Sequence, residues 1–260
     1  MQDLTVSIVQ TPLHWQDASA NRAMLEEKLW QLEQPTDLII LPEMFNSGFT
    51  MDAKTVAEPM NFHTFKWMKQ MAAQHKAVIT GSMVVSEGGQ FYNRLIWMTP
   101  DGHYETYDKR HLFRMANEHD HYSSGKQRLI AEVNGWKVCP LICYDLRFPV
   151  WSRQQPLGRF DLQLYVANWP APRTSAWDAL LKARAIENLS YCIGVNRVGE
   201  DGNGIAYSGH SAIYDMKGDA LYHAESYDVI KTCKLSYEKL TVFRDKFPAH
   251  LDADDFSLNL

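Results

Sequence analysis

Short segments made almost entirely of apolar residues recur along the chain, and they constrain its fold more than any other feature. Residues 37–41 (Asp-Leu-Ile-Ile-Leu), 137–142 (Lys-Val-Cys-Pro-Leu-Ile) and 162–167 (Leu-Gln-Leu-Tyr-Val-Ala) each have the length of one strand. A strand that is apolar on both faces has to be covered on both faces, as in α/β proteins. The sequence therefore predicts buried sheets with helices on their outer faces.

The segments between these strands complete an α/β pattern. Residues 4–11 alternate like a strand, and Asp17 and Ser19 offer N-caps to a helix over residues 20–32 that ends before Pro35. Further predicted helices lie at 62–75, 149–155 and, with Ser175 as its cap, 175–189; further strands lie at 77–86, 91–99, 104–107, 191–198, 206–215 and 230–235.

Two observations concern the organisation of the whole chain. Residues 109–126 show no clean period and predict a long, functional loop. No linker, internal repeat or shift in composition divides the sequence, so a single α/β domain over residues 1–260 is expected.

Charge and cysteine usage exclude several classes of protein. The 26 basic and 31 acidic residues give a net charge of −5, which offers no basic field to nucleic acid or anionic lipid. No segment approaches the roughly 20 apolar residues of a membrane helix, and the first residues do not have the pattern of a signal peptide. Four cysteines are too few for a disulfide framework in a chain of 260 residues. We expect a cytoplasmic protein without nucleic-acid or membrane partners.

Three predicted strands run into a chemically reactive side chain. Leu38-Ile-Ile-Leu-Pro-Glu43 ends at a carboxylate, Tyr104-Glu-Thr-Tyr-Asp-Lys109 at an ammonium group, and residues 137–143 at a thiol. If these strand ends converge, Glu43, Lys109 and Cys143 supply a base, a cation and a nucleophile for acyl transfer. The backbone N–H of Tyr144 could join Lys109 in stabilising an oxyanion.

Each residue also has a simpler interpretation. An isolated cysteine at a strand end is more often a core residue than a nucleophile, Glu43 could cap a loop, and Lys109 could be solvated. Cys139 and Cys143 do not suggest a metal pair or a disulfide, because on an extended strand they lie about 13 Å apart. The sequence pattern alone leaves catalysis and packing open.

The ordered set of motifs, however, resembles the carbon–nitrogen hydrolases of the nitrilase superfamily over nearly the whole chain. The matching segments are Val9-Gln10, Leu41-Pro-Glu43, Gly48-Phe49, Asp108-Lys-Arg-His-Leu-Phe113, Cys143-Tyr-Asp-Leu-Arg-Phe-Pro149, Asn168-Trp-Pro170 and Ala183-Arg-Ala-Ile-Glu-Asn188. The resemblance implies a four-layer α-β-β-α sandwich of the nitrilase type with a Glu43–Lys109–Cys143 triad. It also implies no organic cofactor and no metal, and association into a homodimer or higher homo-oligomer.

A second glutamate often follows the lysine in this family, and Glu118 matches it best. Its role would be to orient Lys109 or the substrate amide, and the alternative is an exposed loop charge. Glu118-His-Asp-His121 could suggest metal binding, but no further ligand cluster accompanies it. A solvated polar loop is the preferred interpretation of that segment.

Details of the motifs favour amide over nitrile hydrolysis. Cys143-Tyr-Asp-Leu-Arg-Phe-Pro149 and Asn168-Trp-Pro170 resemble the ω-amidase branch, whereas nitrilases more commonly carry Cys-Trp-Glu at the nucleophile. The resemblance implies hydrolysis of the terminal amide of a small 2-oxo dicarboxylic acid monoamide, such as 2-oxoglutaramate or 2-oxosuccinamate. The products would be the dicarboxylate and ammonia, formed through a thioester.

Side chains close in sequence to the reactive motifs are candidates for the substrate pocket. Arg173 is the candidate to bind the distal carboxylate, whereas Arg147 is interpreted as a structural partner of Asp145. The predicted aromatic wall comprises Phe49, Phe113, Tyr144, Trp169 and Trp177. The aromatic residues could equally belong to the core.

Three alternative functions remain open at the level of the sequence. The chain could be another amidohydrolase of the superfamily, acting on N-carbamoyl amino acids or aliphatic amides, or it could be a nitrilase. The third alternative is a non-catalytic binding protein, in which Cys143 would be unreactive. A catalytic thiolate, by contrast, should be alkylated by iodoacetamide well below about pH 8.5.

Overall fold

Strands and helices alternate along the computed structural model of the protein, which describes residues 1–155 and 159–258. Residues 156–158, 259 and 260, which belong to the predicted domain, lie outside that description. The strands are β1 (Leu4–Gln10), β2 (Leu38–Ile40), β3 (Val78–Glu87), β4 (Gln90–Met98), β5 (Tyr104–Asp108), β6 (Ala131–Val133), β7 (Trp136–Ile142), β8 (Leu162–Ala167), β9 (Tyr191–Asn196), β10 (Val198–Glu200), β11 (Ala206–Ser208), β12 (Ala212–Tyr214), β13 (Ala220–His223) and β14 (Val229–Leu235). The helices are α1 (Ala18–Trp30), α2 (Ala53–Val56), α3 (His63–His75), α4 (Glu118–His121), α5 (Pro149–Ser152), α6 (Thr174–Asn188) and α7 (Tyr237–Lys246).

The described strands form two six-stranded sheets and a short β10–β11 ribbon. The first sheet has the order β14-β1-β2-β3-β4-β5, and the second has the order β13-β12-β9-β8-β7-β6. In each sheet the three strands β1-β2-β3 or β7-β8-β9 are parallel, and the outer strands are antiparallel. The carboxyl ends of parallel strands are where α/β folds place their functional groups.

Alternation along the strands explains why the sheets stack. Leu38 and Ile40 of β2 are buried in a core that both sheets share, whereas Ile39 between them packs with Leu25 of α1 and Met68 of α3. Strand β2 therefore has one face against the other sheet and one face against helices.

Helix α6 covers the second sheet from outside. At Gly194 of β9 a Cβ atom would lie 2.6 Å from Trp177 Cζ2, so glycine permits this close approach. The result is a four-layer α-β-β-α sandwich, which confirms the predicted architecture.

Several local predictions need correction. Ser175 does not cap α6, which begins at Thr174, whereas Asp17 caps α1 as predicted by accepting from the Ala20 N–H at 2.9 Å. The strand predicted at 206–215 is divided into β11 and β12, because Gly209 and His210 both have positive φ angles, 70° and 58°. No helix in the described part of the chain is long and apolar enough to cross a membrane.

Candidate active site

The three reactive strand ends meet between the sheets. Glu43 follows β2, Lys109 follows β5 and Cys143 follows β7, and all three side chains are buried. The Lys109 ammonium donates to Glu43 Oε1 at 2.8 Å. Lys109 and Cys143 both line one cavity. The structure thus brings together the base, the cation and the thiol that the sequence placed at separate strand ends.

Cys143 is held in an uncommon backbone conformation. Its φ angle is +42°, in the left-handed region, at the start of a 3₁₀ helix over Cys143–Arg147. Asp145 in that helix accepts from the Ile142 N–H at 3.1 Å, from the Tyr107 hydroxyl at 2.7 Å and from the His111 N–H at 3.0 Å. This buried carboxylate fixes the turn that presents the thiol.

Glu43 is oriented from both sheets. Its Oε1 also accepts from Asn93 Nδ2 at 2.8 Å, and its Oε2 accepts from the Asn168 N–H at 2.8 Å. The Asn168 side chain donates in turn to the Glu43 carbonyl at 2.5 Å. Sequence reasoning assigned no role to the Asn93 or Asn168 side chain, although Asn168 belonged to a quoted motif.

Glu118 joins the site as the second carboxylate of Lys109. It is fully buried, it accepts from Lys109 Nζ at 3.0 Å on each oxygen, and it accepts from the Phe113 N–H at 2.5 Å. The alternative of an exposed loop charge is therefore wrong for Glu118. The loop predicted at 109–126 contains α4, whose first residue is this glutamate.

Burial and charge set the protonation of the cluster. Burial raises the pKa of Glu118, against the effect of Lys109, and nearby Glu43 raises it further. Burial by itself would lower the pKa of Lys109, but Glu118 and Glu43 outweigh it and raise that pKa well above its usual range. Lys109 is therefore a permanent cation in this site.

The same two factors keep Cys143 protonated. Burial raises the pKa of the Cys143 thiol well above its ordinary value, Glu43 adds to the effect, and Lys109 opposes it incompletely. The resting protein therefore holds a neutral thiol. This raised pKa favours slow alkylation below about pH 8.5 over the rapid reaction expected from the sequence, and iodoacetamide labelling tests which of the two holds.

The cavity beside Cys143 has a volume of about 370 Å³. Five predicted pocket residues line it: Phe49, Phe113, Tyr144, Trp169 and Arg173. Trp177 does not, because it is fully buried behind Trp169, with ring centroids 5.4 Å apart. The prediction that Trp177 lines the pocket is therefore corrected.

Two arginine side chains face this cavity. The Arg173 guanidinium lies 5.1 Å from the Phe113 ring centroid, and the Arg147 guanidinium lies 5.1 Å from that of Trp169. Neither forms a salt bridge within residues 1–155 and 159–258. The interpretation of Arg147 as the partner of Asp145 is wrong, because that carboxylate binds other donors. Aromatic rings therefore hold both cations in the lining of the cavity that also contains Cys143.

Tyr144 completes the floor of the cavity. Its side chain lines the cavity, and its ring packs edge-on against Phe113 at a centroid distance of 5.0 Å. Its backbone N–H follows Cys143 directly in the 3₁₀ helix. The role of that N–H in binding an oxyanion stays a prediction.

Comparisons with known proteins agree with this geometry. Residues 5–231 match the sequence model of the carbon-nitrogen hydrolase family. The chain is 46% identical to "Omega-amidase YafV" of Escherichia coli strain K12, with 99% of this chain and 100% of that protein aligned. It is 28% identical to "2-oxoglutaramate amidase" of Bacillus subtilis strain 168, over 95% of this chain and 96% of that one.

Solved structures agree as well. The crystal structure of XC1258 from Xanthomonas campestris, described as a CN-hydrolase superfamily protein, superposes with a TM-score of 0.97 at 45% identity and covers all of both chains. Nit3 of Saccharomyces cerevisiae, described as a nitrilase superfamily member, superposes with a TM-score of 0.83 at 23% identity over 95% of each chain. The second likeness concerns the fold alone.

Proposed function

This chain belongs to the carbon–nitrogen hydrolase family, and we propose that it is an ω-amidase. It hydrolyses the terminal amide of a small 2-oxo dicarboxylic acid monoamide, such as 2-oxoglutaramate or 2-oxosuccinamate, to the dicarboxylate and ammonia. The observation that carries this proposal is the buried contact of Lys109 with Glu43 and Glu118, beside Cys143, in a cavity that also contains two arginines.

Acylation begins from the neutral thiol. As Cys143 Sγ bonds to the amide carbon, the Glu43 carboxylate accepts the thiol proton, and the carbonyl π electrons move to oxygen. The tetrahedral oxyanion is stabilised by the Lys109 ammonium and the Tyr144 backbone N–H. When the C–N bond breaks, Glu43 returns the proton to the leaving nitrogen, and ammonia departs from a thioester.

Deacylation reuses the same groups. Glu43 removes a proton from water as its oxygen attacks the thioester carbon, and Lys109 again faces the oxyanion. The C–S bond then breaks, and Glu43 returns the proton to sulfur. Because its pKa is raised, Lys109 remains charged throughout and acts as an electrostatic group.

Glu118 acts through Lys109. Its two oxygens both accept from the Lys109 ammonium, and the Phe113 N–H holds Glu118 in turn. Positioning of this kind preserves the donor geometry that an oxyanion site needs.

The two arginines would bind the end of the substrate that lies opposite its amide. A dicarboxylate monoamide carries one anionic group at the end opposite its amide, and a guanidinium binds a carboxylate through paired N–H donors. Arg147 and Arg173 lie on walls of the same cavity as Cys143. This charge supports a substrate with a distal carboxylate over a plain aliphatic amide.

A substrate panel tests the proposal. Ammonia release is measured from 2-oxoglutaramate and from glutamine at equal concentration, with an N-carbamoyl amino acid, an aliphatic amide and a nitrile in parallel. We expect preference for 2-oxoglutaramate and complete loss of activity in Cys143→Ala. Cys139→Ala, which changes a buried cysteine of the same strand, should remain active. Turnover of 2-oxoglutaramate by the Cys143→Ala variant would disprove the mechanism.

Three further properties are part of the proposal. Both sheets contribute to one core, which supports a single domain over residues 1–260. All four cysteines are free thiols, which supports a reducing, cytoplasmic environment. Association into at least a dimer is proposed by analogy with the family alone, and light scattering after size-exclusion chromatography tests it.

A further inference from the structure

Asp178, His210 and His223 form a cluster on the surface, outside the lining of the cavity. His210 Nδ1 lies 3.1 Å from Asp178 Oδ2, and His223 Nε2 lies 3.3 Å from Asp178 Oδ1. One ligand atom from each residue lies within 4.8 Å of the other two. The side chains are 28–33% exposed, so solvent reaches the point where they converge.

Three separate elements hold these side chains in place. Asp178 lies on α6, and His223 is the last residue of β13, where it pairs with Ala212 of β12. His210 has a φ angle of +58°, and its carbonyl accepts from the Trp177 indole N–H at 2.7 Å. The proposed amidase mechanism uses none of these three residues. Their side chains already converge in the structure without a bound ligand.

The donor set and its dimensions fit a transition-metal ion. Zinc binds imidazole nitrogen and carboxylate oxygen at about 2.0–2.2 Å, so ligand atoms around a tetrahedral ion lie about 3.3 Å apart. Asp178 Oδ1 lies 3.3 Å from His210 Nδ1 and 3.3 Å from His223 Nε2, which matches that spacing. Mg²⁺ and Ca²⁺ prefer all-oxygen sites and are disfavoured by the two imidazoles.

We propose that Asp178, His210 and His223 bind one Zn²⁺ ion, with water at the remaining coordination position. The site is independent of the amidase reaction. It would join α6 to the outer strand of the second sheet and so stabilise the folded protein by linkage. The competing interpretation is a carboxylate that only accepts N–H bonds from two histidines.

Calorimetric titration separates the two interpretations. The full chain carrying Cys143→Ser, which removes the active-site thiol, is treated with EDTA and titrated with ZnCl₂. We expect one Zn²⁺ per chain, at least tenfold weaker binding in His223→Ala and in Asp178→Asn, and no response to MgCl₂. His103→Ala, at an exposed turn residue, is the matched control and should bind normally. Unchanged stoichiometry and affinity in both cluster variants would overturn the proposal.

Two further measurements cover folding and ligand identity. At about 100 times its Kd, Zn²⁺ should raise the Tm by a few degrees, and the shift should vanish in His223→Ala while its circular dichroism stays unchanged. Co²⁺ should give visible bands without a thiolate charge-transfer band. A thiolate band would assign the metal to cysteine and overturn the proposal.

Discussion

Asn168 donates twice to Glu43, through its backbone N–H to Oε2 at 2.8 Å and through its side-chain Nδ2 to the carbonyl at 2.5 Å. Asn168 follows β8 of the second sheet, and Glu43 follows β2 of the first. This pair of bonds fixes the proposed base relative to the sheet that carries the thiol.

Removing the Asn168 side chain should therefore affect chemistry more than binding. Asn168→Ala keeps the backbone bond but frees the Glu43 main chain, and we expect kcat to fall roughly 10- to 100-fold with a smaller change in KM, because small displacements of reacting groups are costly. Steady-state kinetics with 2-oxoglutaramate measure the split. Gln34→Ala, an exposed and distant amide, should match wild type. A rise in KM with unchanged kcat would show that Asn168 acts through binding.

The charge of Glu43 should control the acidity of the thiol. Burial, then Glu43, raises the pKa of Cys143, so Glu43→Gln should lower that pKa while it abolishes turnover. The wild-type thiolate therefore forms only at high pH. At any pH below the wild-type pKa, the variant should contain a larger fraction of thiolate.

The rate of alkylation of Cys143 tests this predicted decrease in its pKa. Iodoacetamide should label Cys143 slowly in wild type below about pH 8.5 and faster in Glu43→Gln. Cys139, whose pKa burial raises to about 12, should stay unlabelled in both folded proteins. Equal or slower labelling of Cys143 in the variant would contradict the assigned effect of Glu43.

The two cavity arginines should discriminate between substrates. Arg147→Met and Arg173→Met each remove one cation, and we expect each to lower kcat/KM for 2-oxoglutaramate about 10- to 100-fold, since a bond to a charged group contributes about 1.5–3 kcal/mol. An aliphatic amide without a distal carboxylate is the control substrate and should be affected much less. Equal losses for both substrates would assign the arginines to packing against Trp169 and Phe113 instead.

Asp145 should be essential for stability. Asp145→Ala would leave the Ile142 and His111 N–H groups and the Tyr107 hydroxyl without their buried acceptor, and we expect a loss of at least about 3 kcal/mol in the free energy of unfolding. Urea titration followed by circular dichroism measures it. Asp219→Ala, which removes an exposed carboxylate, should leave the midpoint unchanged. A small loss in Asp145→Ala would mean that water replaces the carboxylate.

The sequence predicts those features that depend on neighbours along the chain. The strand ends at residues 43 and 143 follow from apolar runs in the sequence. Their convergence with Lys109 was implied only by the family resemblance, because β7 lies in the other sheet and β5 is an outer antiparallel strand. The Asn168–Glu43 contact joins residues 125 positions apart, so no local pattern reveals it.

The sequence also does not show which way a side chain points, and the predictions for Trp177 and Arg147 were wrong for this reason. An aromatic residue near the reactive motifs can face the cavity or the core, and Trp177 faces the core because glycine at 194 lets α6 approach the sheet. Arg147 and Asp145 are neighbours in sequence, but the 3₁₀ turn directs one toward the cavity and buries the other.

The pairing of β1 with β14 has a consequence for how the protein forms during synthesis. Leu4 pairs with Leu235, so one edge of β1 stays open until residues 229–235 have left the ribosome. Contacts of such sequence separation form slowly, and an open strand edge invites pairing with other chains. The first strand of the nascent chain therefore keeps an unpaired edge while more than two hundred residues that separate it from β14 are synthesised.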